Sequence, residues 1–304
     1  MHKSVLLEEC LQYLNLKDDS IIVDCTLGYG GHSSEILKKI KRGFLFAFDQ
    51  DEEAIKYSRN RLNNIGNNYE IIKSNFKNLK ANLKEKIDLV DGILYDLGVS
   101  SPQLDETERG FSFHKDARLD MRMDTSSNFS AYDVVNNYSY EQLTNIFHKY
   151  GEEKYASSIA KKIIKYREDK PIETTLELVE IIKSSVPEKY RREKHPARKV
   201  FQAIRIEVND ELNVFENSLK QALSLIKVGG RVCVITFHSL EDRICKQVFK
   251  EYSEVDKNLK NMPIIPEYLQ PNFKIIGNIE PSKEELDNNN RARSARLRII
   301  ERVK

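Results

Sequence analysis

A glycine-rich turn and one carboxylate downstream of it have the spacing of a nucleoside-binding site. The turn contains Gly28, Gly30, Gly31 and His32, and Asp49 follows about 20 residues later. Glycines let a backbone approach a ligand closely, and a helix amino terminus supplies free N–H donors. An acidic side chain at this distance is suited to accept hydrogen bonds from both ribose hydroxyls of an adenine nucleoside. The pattern predicts such a site, although the glycines alone also suit an ordinary strand-to-helix turn.

Nicotinamide dinucleotides and S-adenosylmethionine both contain an adenine nucleoside, and the sequence of the glycine turn distinguishes between these two classes of cofactor. The run from Gly28 to Ser33 has glycine at its first and third positions but serine at the sixth, where the dinucleotide fingerprint needs another glycine. The chain has no second dinucleotide signature. Because S-adenosylmethionine has no pyrophosphate, a broader glycine turn suffices for it. The turn therefore favours S-adenosylmethionine over a nicotinamide dinucleotide.

A second carboxylate, Asp96, ends an apolar run and is followed by a polar turn that extends to Gln103. The exocyclic amine of a nucleobase is a poor nucleophile, because its lone pair is delocalised into the ring. An acceptor beside a methyl donor would orient the amino hydrogens and favour attack by the nitrogen. Asp96 is a candidate for this catalytic role. The sequence leaves open a second role, in which Asp96 holds the amino group of the donor or caps a turn.

These residues follow short strands that alternate with helical segments. Apolar or β-branched runs occur at residues 20–26, 44–48, 70–73, 87–94 and 231–236. Strands that alternate with helices predict a mainly parallel, doubly wound α/β sheet of the Rossmann-like class. In such a sheet a ligand binds outside the carboxyl ends of the strands, where the glycine turn and both carboxylates are expected.

The fourth and fifth predicted strands are much further apart than an ordinary crossover of about a dozen residues. Helical spacing dominates residues 131–185 of this long connection. We predict an inserted helical substrate-recognition domain at residues 106–205, within a methyltransferase domain formed by residues 1–105 and 206–304. The predicted helices of the insertion are Tyr140–Tyr150, Lys154–Tyr166 and Thr175–Ser184.

The overall charge does not point to nucleic acid, since 49 basic residues face 47 acidic ones and the net charge is +2. Attraction to RNA must therefore come from local patches. Basic residues are concentrated between residues 183 and 205, and the candidate RNA-binding residues there are Arg191, Arg192, Lys194 and Arg198. A charged run of this kind is also typical of an ordinary solvated surface.

Composition and motif spacing argue against disulfides, metal sites and membrane segments. The four cysteines form no Cys-x-x-Cys pair, and the histidines have no metal-ligand spacing, so we expect neither a disulfide framework nor a metal. No apolar run approaches the roughly 18 residues of a membrane helix, and the amino terminus lacks a signal-peptide pattern. We expect a cytoplasmic protein without a membrane partner. The oligomeric state stays open, and a homodimer is one of the options.

Longer motifs along the whole chain resemble those of one known family. They are Asp96 to Gln103, Arg109 to Phe113, Leu119 to Asp124, His195 to Arg198 and Phe237 to Arg243. In this order they are similar to the bacterial small-subunit ribosomal RNA (cytosine-N4) methyltransferases of type H. The resemblance implies a class I S-adenosylmethionine-dependent methyltransferase sheet with an inserted helical domain. It also implies methylation of the N4 atom of a cytidine in the decoding centre of 16S ribosomal RNA, in the small ribosomal subunit.

The resemblance also implies a set of cofactor contacts, matched motif by motif. These are Gly30, Gly31, His32, Asp49, Phe76, Asp96 and Gln103. Phe76 would form an apolar wall for the adenine ring, whereas without the resemblance an ordinary core position is the favoured interpretation. Arg118 departs from the family pattern, which has proline there, and this puts the local backbone path in doubt. The Asp-Pro-Pro-Tyr signature of amino-methylating DNA enzymes is absent, so the role of Asp96 stays open.

The competing class of function is a non-catalytic RNA-binding or ribosome-assembly protein that keeps a nucleoside fold. A degenerate site of that kind is expected to have lost Asp49 or the glycine turn. Both are present in this chain. The sequence therefore favours an enzyme.

Overall fold

The protein forms two compact units in a computed structural model. The first unit is Met1–Gly98 together with Leu212–Lys304, and the second is Val99–Glu211. The predicted boundary at residue 105 falls outside the described residues, and the helix Ala197–Asn209 continues without a break through the boundary predicted at residue 205. The residues that the structure describes are 4–99, 107–193, 195–255, 259 and 266–304.

The first unit contains one seven-stranded sheet with the order β3-β2-β1-β4-β5-β7-β6. Strands β1 to β5 pair in parallel, and β7 runs antiparallel to both of its neighbours. The predicted Rossmann-like α/β class is therefore confirmed. The strands are β1 (Ile21–Asp24), β2 (Phe44–Asp49), β3 (Tyr69–Lys73), β4 (Val90–Asp96), β5 (Ile226–Thr236), β6 (Phe273–Ile279) and β7 (Arg296–Arg302).

Helices cover the sheet of the first unit and build most of the second unit. They are, in chain order, α1 (Leu7–Tyr13), α2 (Gly31–Lys39), α3 (Glu52–Asn63), α4 (Leu79–Leu83), α5 (Ala131–Asn137), α6 (Tyr140–Lys149), α7 (Ala156–Arg167), α8 (Thr175–Ser184), α9 (Glu188–Glu193), α10 (Ala197–Asn209), α11 (Glu211–Leu225), α12 (Ser239–Ser253) and α13 (Lys283–Asn288). Among the described residues no helix is long and apolar enough to span a bilayer.

The sheet is buried on both faces, and alternate strand residues point into different cores. In β4, Ile93 joins the core formed with α11 and α12, whereas Leu94 joins the core formed with α1 and α2. In β1, Val23 joins the core formed with α11 and α12, and Ile22 joins the core formed with α1 and α2. Burial on both faces explains why these strands are continuous apolar runs rather than alternating ones.

The second unit has its own helical core, and capping residues define where two of its helices begin. Ser139 and Gln142 form a capping box at α6, and Thr174 and Glu177 form one at α8. Arg118, where the family has proline, forms an isolated antiparallel bridge with Thr174. The local path at Arg118 is thus an extended segment held against the start of α8.

Candidate active site

Three carboxylates converge at one edge of the sheet in the first unit. Asp24, Asp49 and Asp96 are the last residues of β1, β2 and β4, and these three strands are neighbours in the order β2-β1-β4. The strand order reverses direction between β1 and β4, and ligands of open α/β sheets bind at such a switch point. The geometry places the candidate site in this crevice.

The turn after β1 depends on glycine for two different reasons. Gly30 has a φ of +73°, in the left-handed region that favours glycine, and an added Cβ would lie 3.2 Å from the Ser58 hydroxyl oxygen. A Cβ on Gly31 would lie 1.9 Å from the hydroxyl oxygen of Ser4. Helix α2 begins at Gly31, so its unpaired first-turn N–H groups follow the turn directly.

Asp49 connects the glycine turn to the start of α3. Its Oδ2 accepts a hydrogen bond from the Gly28 N–H at 2.8 Å, and its Oδ1 accepts one from the Asp51 N–H at 2.9 Å. Each carboxylate oxygen can accept more than one hydrogen bond, so acceptor capacity remains for the two hydroxyls of a ribose. Burial raises the pKa of Asp49 to about 6, against the lowering effect of these N–H donors.

Asp96 has one buried carboxylate oxygen without a hydrogen-bond partner among the described residues. This atom is Oδ1, while Oδ2 lies 3.5 Å from the Nδ1 atom of His32. The backbone N–H of Asp96 donates to the Thr26 hydroxyl at 2.7 Å, which fixes the end of β4 against the turn. Burial raises the pKa of Asp96 to about 6, and the nearby His32 opposes this rise. A buried acceptor without a partner fits an incoming donor group.

His32 is buried, and its ring lies between the amino-terminal segment and Asp96. The Nε2 atom is 3.1 Å from the carbonyl oxygen of Val5. Because a carbonyl only accepts hydrogen bonds, we assign a hydrogen to Nε2. The ring is therefore occupied by protein contacts, and the backbone N–H of His32 in the first turn of α2 is the group better placed to meet a cofactor.

Asp24 is a site residue that sequence reasoning missed. It is almost fully buried, and it accepts hydrogen bonds from the Ser33 hydroxyl at 2.7 Å and the Thr26 N–H at 3.0 Å. Burial raises the pKa of Asp24, and the hydrogen bond from Ser33 lowers it. Asp24 thus connects β1, the turn and α2. Its position as the last residue of a strand, shared with Asp49 and Asp96, was the available signal.

The remaining predicted cofactor contacts lie further along the same edge or outside the described residues. Phe76 is half-buried in a short 3₁₀ turn after β3, and its ring meets Tyr95 edge to face at 5.6 Å. The partly exposed ring keeps both interpretations, adenine wall and core, open. Gln103 lies outside the described residues.

The predicted RNA-binding residues belong to the second unit. Arg191 and Arg192 are exposed on α9, where Arg192 pairs with Glu188, and Arg198 is exposed in the first turn of α10. Lys194 lies outside the described residues. The three described arginines are each exposed, and their contact with RNA stays a prediction.

Comparison with known proteins decides the family. The model of the MraW methylase family matches residues 1–303. The chain belongs to the MraW methylase family. The resemblance predicted from the motifs is thereby confirmed at the level of the family. As a member of the MraW methylase family, the protein is a methyltransferase whose methyl donor is S-adenosylmethionine.

Three individual proteins are also similar to this chain over its whole length. A protein of Exiguobacterium sibiricum named "Ribosomal RNA small subunit methyltransferase H" is 54% identical over 307 residues, which cover 100% of this chain and 98% of the relative. The crystal structure of an rRNA methylase from Streptococcus thermophilus has a TM-score of 0.48 at 13% identity and covers 100% of this chain and 99% of its own. A SAM-dependent O-methyltransferase from Thermotoga maritima has a TM-score of 0.43 at 12% identity, over 100% of this chain and 68% of its own. Both structural likenesses are distant, and the fold is assigned from the strand order.

The site of this MraW family member suits S-adenosylmethionine on three observations. Asp49 has acceptor capacity for ribose hydroxyls, and the positive φ of Gly30 favours a residue without a side chain directly before the amino terminus of α2. The buried Oδ1 of Asp96 lacks a partner among the described residues. Asp49 would hold the ribose, and the turn with the first N–H groups of α2 would hold the amino-acid end of the donor.

Proposed function

We propose that this protein methylates the N4 atom of a cytidine in the decoding centre of 16S ribosomal RNA, within the small ribosomal subunit and in the cytoplasm. The observation that carries the proposal is the partly exposed Asp96 carboxylate beside the glycine turn, whose buried Oδ1 has no hydrogen-bond partner among the described residues. The name of the Exiguobacterium relative, at 54% identity over the full length, supports RNA of the small subunit as the substrate.

The reaction needs a hydrogen-bond acceptor that orients the cytosine amine, a poor nucleophile, toward the methyl group. Bound S-adenosylmethionine supplies an electrophilic methyl group on a sulfonium. An ionised Asp96 accepts a hydrogen bond from one N4 hydrogen, which orients the amine and raises the electron density on nitrogen. The nitrogen lone pair forms the new N–C bond as the C–S bond breaks, and the nitrogen then releases one proton to Asp96 or to water. The ionised form of Asp96 is therefore the active form.

The target base must leave its stack to reach a site at the strand ends. Enzymes that act on a base pay a few kcal/mol to extrude it and recover this cost through contacts in the pocket and along the strand. We propose that the second unit recognises the RNA, with Arg191, Arg192, Lys194 and Arg198 in contact with phosphates. Exposed guanidinium groups on α9 and α10 support this role for the three described arginines.

The first test is transfer of labelled methyl groups to small ribosomal subunits isolated from cells that lack this protein. Nucleoside mass spectrometry of the RNA should then detect N4-methylcytidine, or the form that is also methylated on the ribose. A protein that binds S-adenosylmethionine but transfers no methyl group to subunits or free RNA would contradict the proposal. Binding of RNA without any donor binding would instead favour the non-catalytic class.

A further inference from the structure

Four aromatic rings form a continuous cluster in the second unit, and we refer to His114, Phe113, His195 and Phe201 as the ring cluster. The rings of Phe113 and His195 stack with centroids 4.6 Å apart at an interplanar angle of 28°. His114 lies 4.4 Å from Phe113 and 5.4 Å from His195. Phe201 meets Phe113 edge to face at 5.7 Å. The cluster joins two segments of the chain that are far apart in sequence.

The ring cluster extends from the core of the second unit to its surface. Phe201 is buried on α10, Phe113 and His195 are half-buried, and His114 is exposed. The N–H of His114 donates to the Ser112 hydroxyl at 3.2 Å, which holds the backbone of the outermost ring. Three rings pack against one another beneath or beside His114. A ligand that stacks on His114 therefore meets a platform that folding has already ordered, which lowers the entropy cost of binding.

The inner rings of the ring cluster offer flat aromatic surfaces rather than charges. Burial lowers the pKa of His195, with His114 and Lys183 adding to the effect, and this favours the neutral form of the ring. Its Nδ1 atom is buried and has no hydrogen-bond partner among the described residues. A neutral ring stacked on Phe113 presents a flat π-surface rather than a charge. The chemistry of the cluster is thus stacking.

Cationic side chains lie close to His195 in the chain, and Lys183 is near enough to lower the pKa of His195. Arg198 is exposed in the first turn of α10, three residues after His195, whose carbonyl oxygen accepts the Arg198 N–H at 3.2 Å. Arg191 is exposed on the preceding helix α9. Aromatic rings beside Arg and Lys form the combination that binds single-stranded nucleic acid, because the cations contact phosphates and the rings stack on bases. Charge complementarity therefore selects an RNA strand as the occupant.

We propose that the ring cluster binds one unpaired nucleobase of the RNA substrate, which stacks on the exposed ring of His114. This inference rests on the proposed function, since it takes RNA as the substrate. Stacking involves the π-face that every base has, so the site is tolerant of base identity. It contributes affinity and holds the strand, whereas the choice of the methylated base belongs to the crevice in the first unit.

The test compares two substitutions at His114 with one control substitution by fluorescence anisotropy, with a labelled oligocytidylate of about 12 nucleotides as the probe. We expect His114→Ala to weaken binding by about tenfold, within the range measured for removal of one base–aromatic stack. His114→Phe should keep most of the affinity, because it keeps a ring. His148→Ala is the matched control, since His148 is an exposed histidine of the same unit on α6, and it should bind like the unchanged protein.

A second salt concentration separates stacking from charge. Neither Ala nor Phe at position 114 carries a charge, so the ratio of their dissociation constants should stay the same as salt increases. Affinity of His114→Phe as low as that of His114→Ala would overturn the proposal, and so would equal affinity of His114→Ala and His148→Ala. Methyl transfer to small subunits is measured alongside. If the unchanged protein methylates RNA but the His114 variants bind normally, only the stacking site is wrong, whereas the absence of any transfer contradicts the proposed function.

Discussion

At the scale of single residues, Asp49 has the most sharply defined task. It accepts N–H donors from Gly28 and Asp51 and retains acceptor capacity for a ribose. We expect Asp49→Ala to weaken binding of S-adenosylmethionine by about 2 to 3 kcal/mol, because the ribose hydroxyls lose the charged carboxylate to which they donate hydrogen bonds. RNA affinity should change little. Titration calorimetry measures both, and Asp88→Ala, an exposed aspartate of the same unit, is the control. Unchanged donor affinity in Asp49→Ala would contradict the role of the ribose acceptor.

The protonation of Asp96 predicts how the rate depends on pH. Its pKa is raised by burial to about 6, with His32 opposing the rise and Asp24 and Glu241 reinforcing it. Because the ionised form accepts the amine hydrogen, we expect the single-turnover rate to fall as the pH drops through about 6. In Asp96→Asn the overall rate should be lower by at least about a hundredfold and this acidic limb should disappear. A limb of the same position in Asp96→Asn would assign it to another group.

The raised pKa of Asp96 also affects the stability of the protein. Catalysis needs the ionised carboxylate, whereas folding favours the protonated carboxyl. The contribution of Asp96 to stability is therefore present below the usual pKa of 3.8 and is lost as the pH rises through about 6. Asp96→Asn removes the buried charge, and we expect the free energy of unfolding at neutral pH to increase by about 1 to 2 kcal/mol. Denaturant titrations at pH values above and below this window measure the difference. A less stable Asp96→Asn protein at neutral pH would show that the ionised carboxylate is well compensated by its surroundings.

At the scale of elements, the start of α8 is stabilised by its capping box. The Thr174 hydroxyl accepts the Glu177 N–H, and the Glu177 carboxylate accepts the N–H groups of Thr174 and Glu173. We expect Thr174→Ala to destabilise the protein by about 1 kcal/mol, measured by denaturant unfolding. Thr125→Ala, at an exposed threonine of the same unit, is the control. Equal stability of the two variants would mean that tertiary packing alone defines the start of α8.

Elements with strong local signals were predictable, and elements that depend on distant partners were not. Helix α8 occupies the predicted range Thr175–Ser184, because a cap and an apolar stripe mark it in the sequence. Strands β6 and β7 were not predicted. Strand β7 contains Arg298, whose burial depends on an ion pair with Asp242 from α12. A pairing between residues so far apart in the chain leaves no periodic signal in the strand itself.

At the scale of the whole molecule, the net charge is too small to attract RNA, so a local basic surface must do so. We expect reversal of charge at Arg191 and Arg192 together to weaken RNA binding and to flatten its salt dependence, by close to one unit of slope for each phosphate that is no longer neutralised. Donor affinity should not change. Reversal at Lys161 and Lys165, exposed on α7 of the same unit, is the matched control. The same salt slope in both double variants would place the RNA elsewhere.

The sequence by itself determined the fold class, the place of the glycine turn and the acidic residues Asp49 and Asp96. Each depends on local information, since strand periodicity, glycine content and the length of one strand–helix–strand unit can be read within about 30 residues. The motifs also identified the family, which the comparison confirmed. Long motifs carry this information because they record the residue types at many positions at once.

Only the tertiary structure decided how the side chains are used. It turned the His32 ring toward Val5 and Asp96, buried Asp24 against Ser33, and left Oδ1 of Asp96 without a partner among the described residues. It also joined the rings at positions 113 and 195, which belong to distant segments of the second unit. These outcomes depend on contacts between parts of the chain far apart in sequence, and on burial that changes a pKa. Spacing along one segment contains neither.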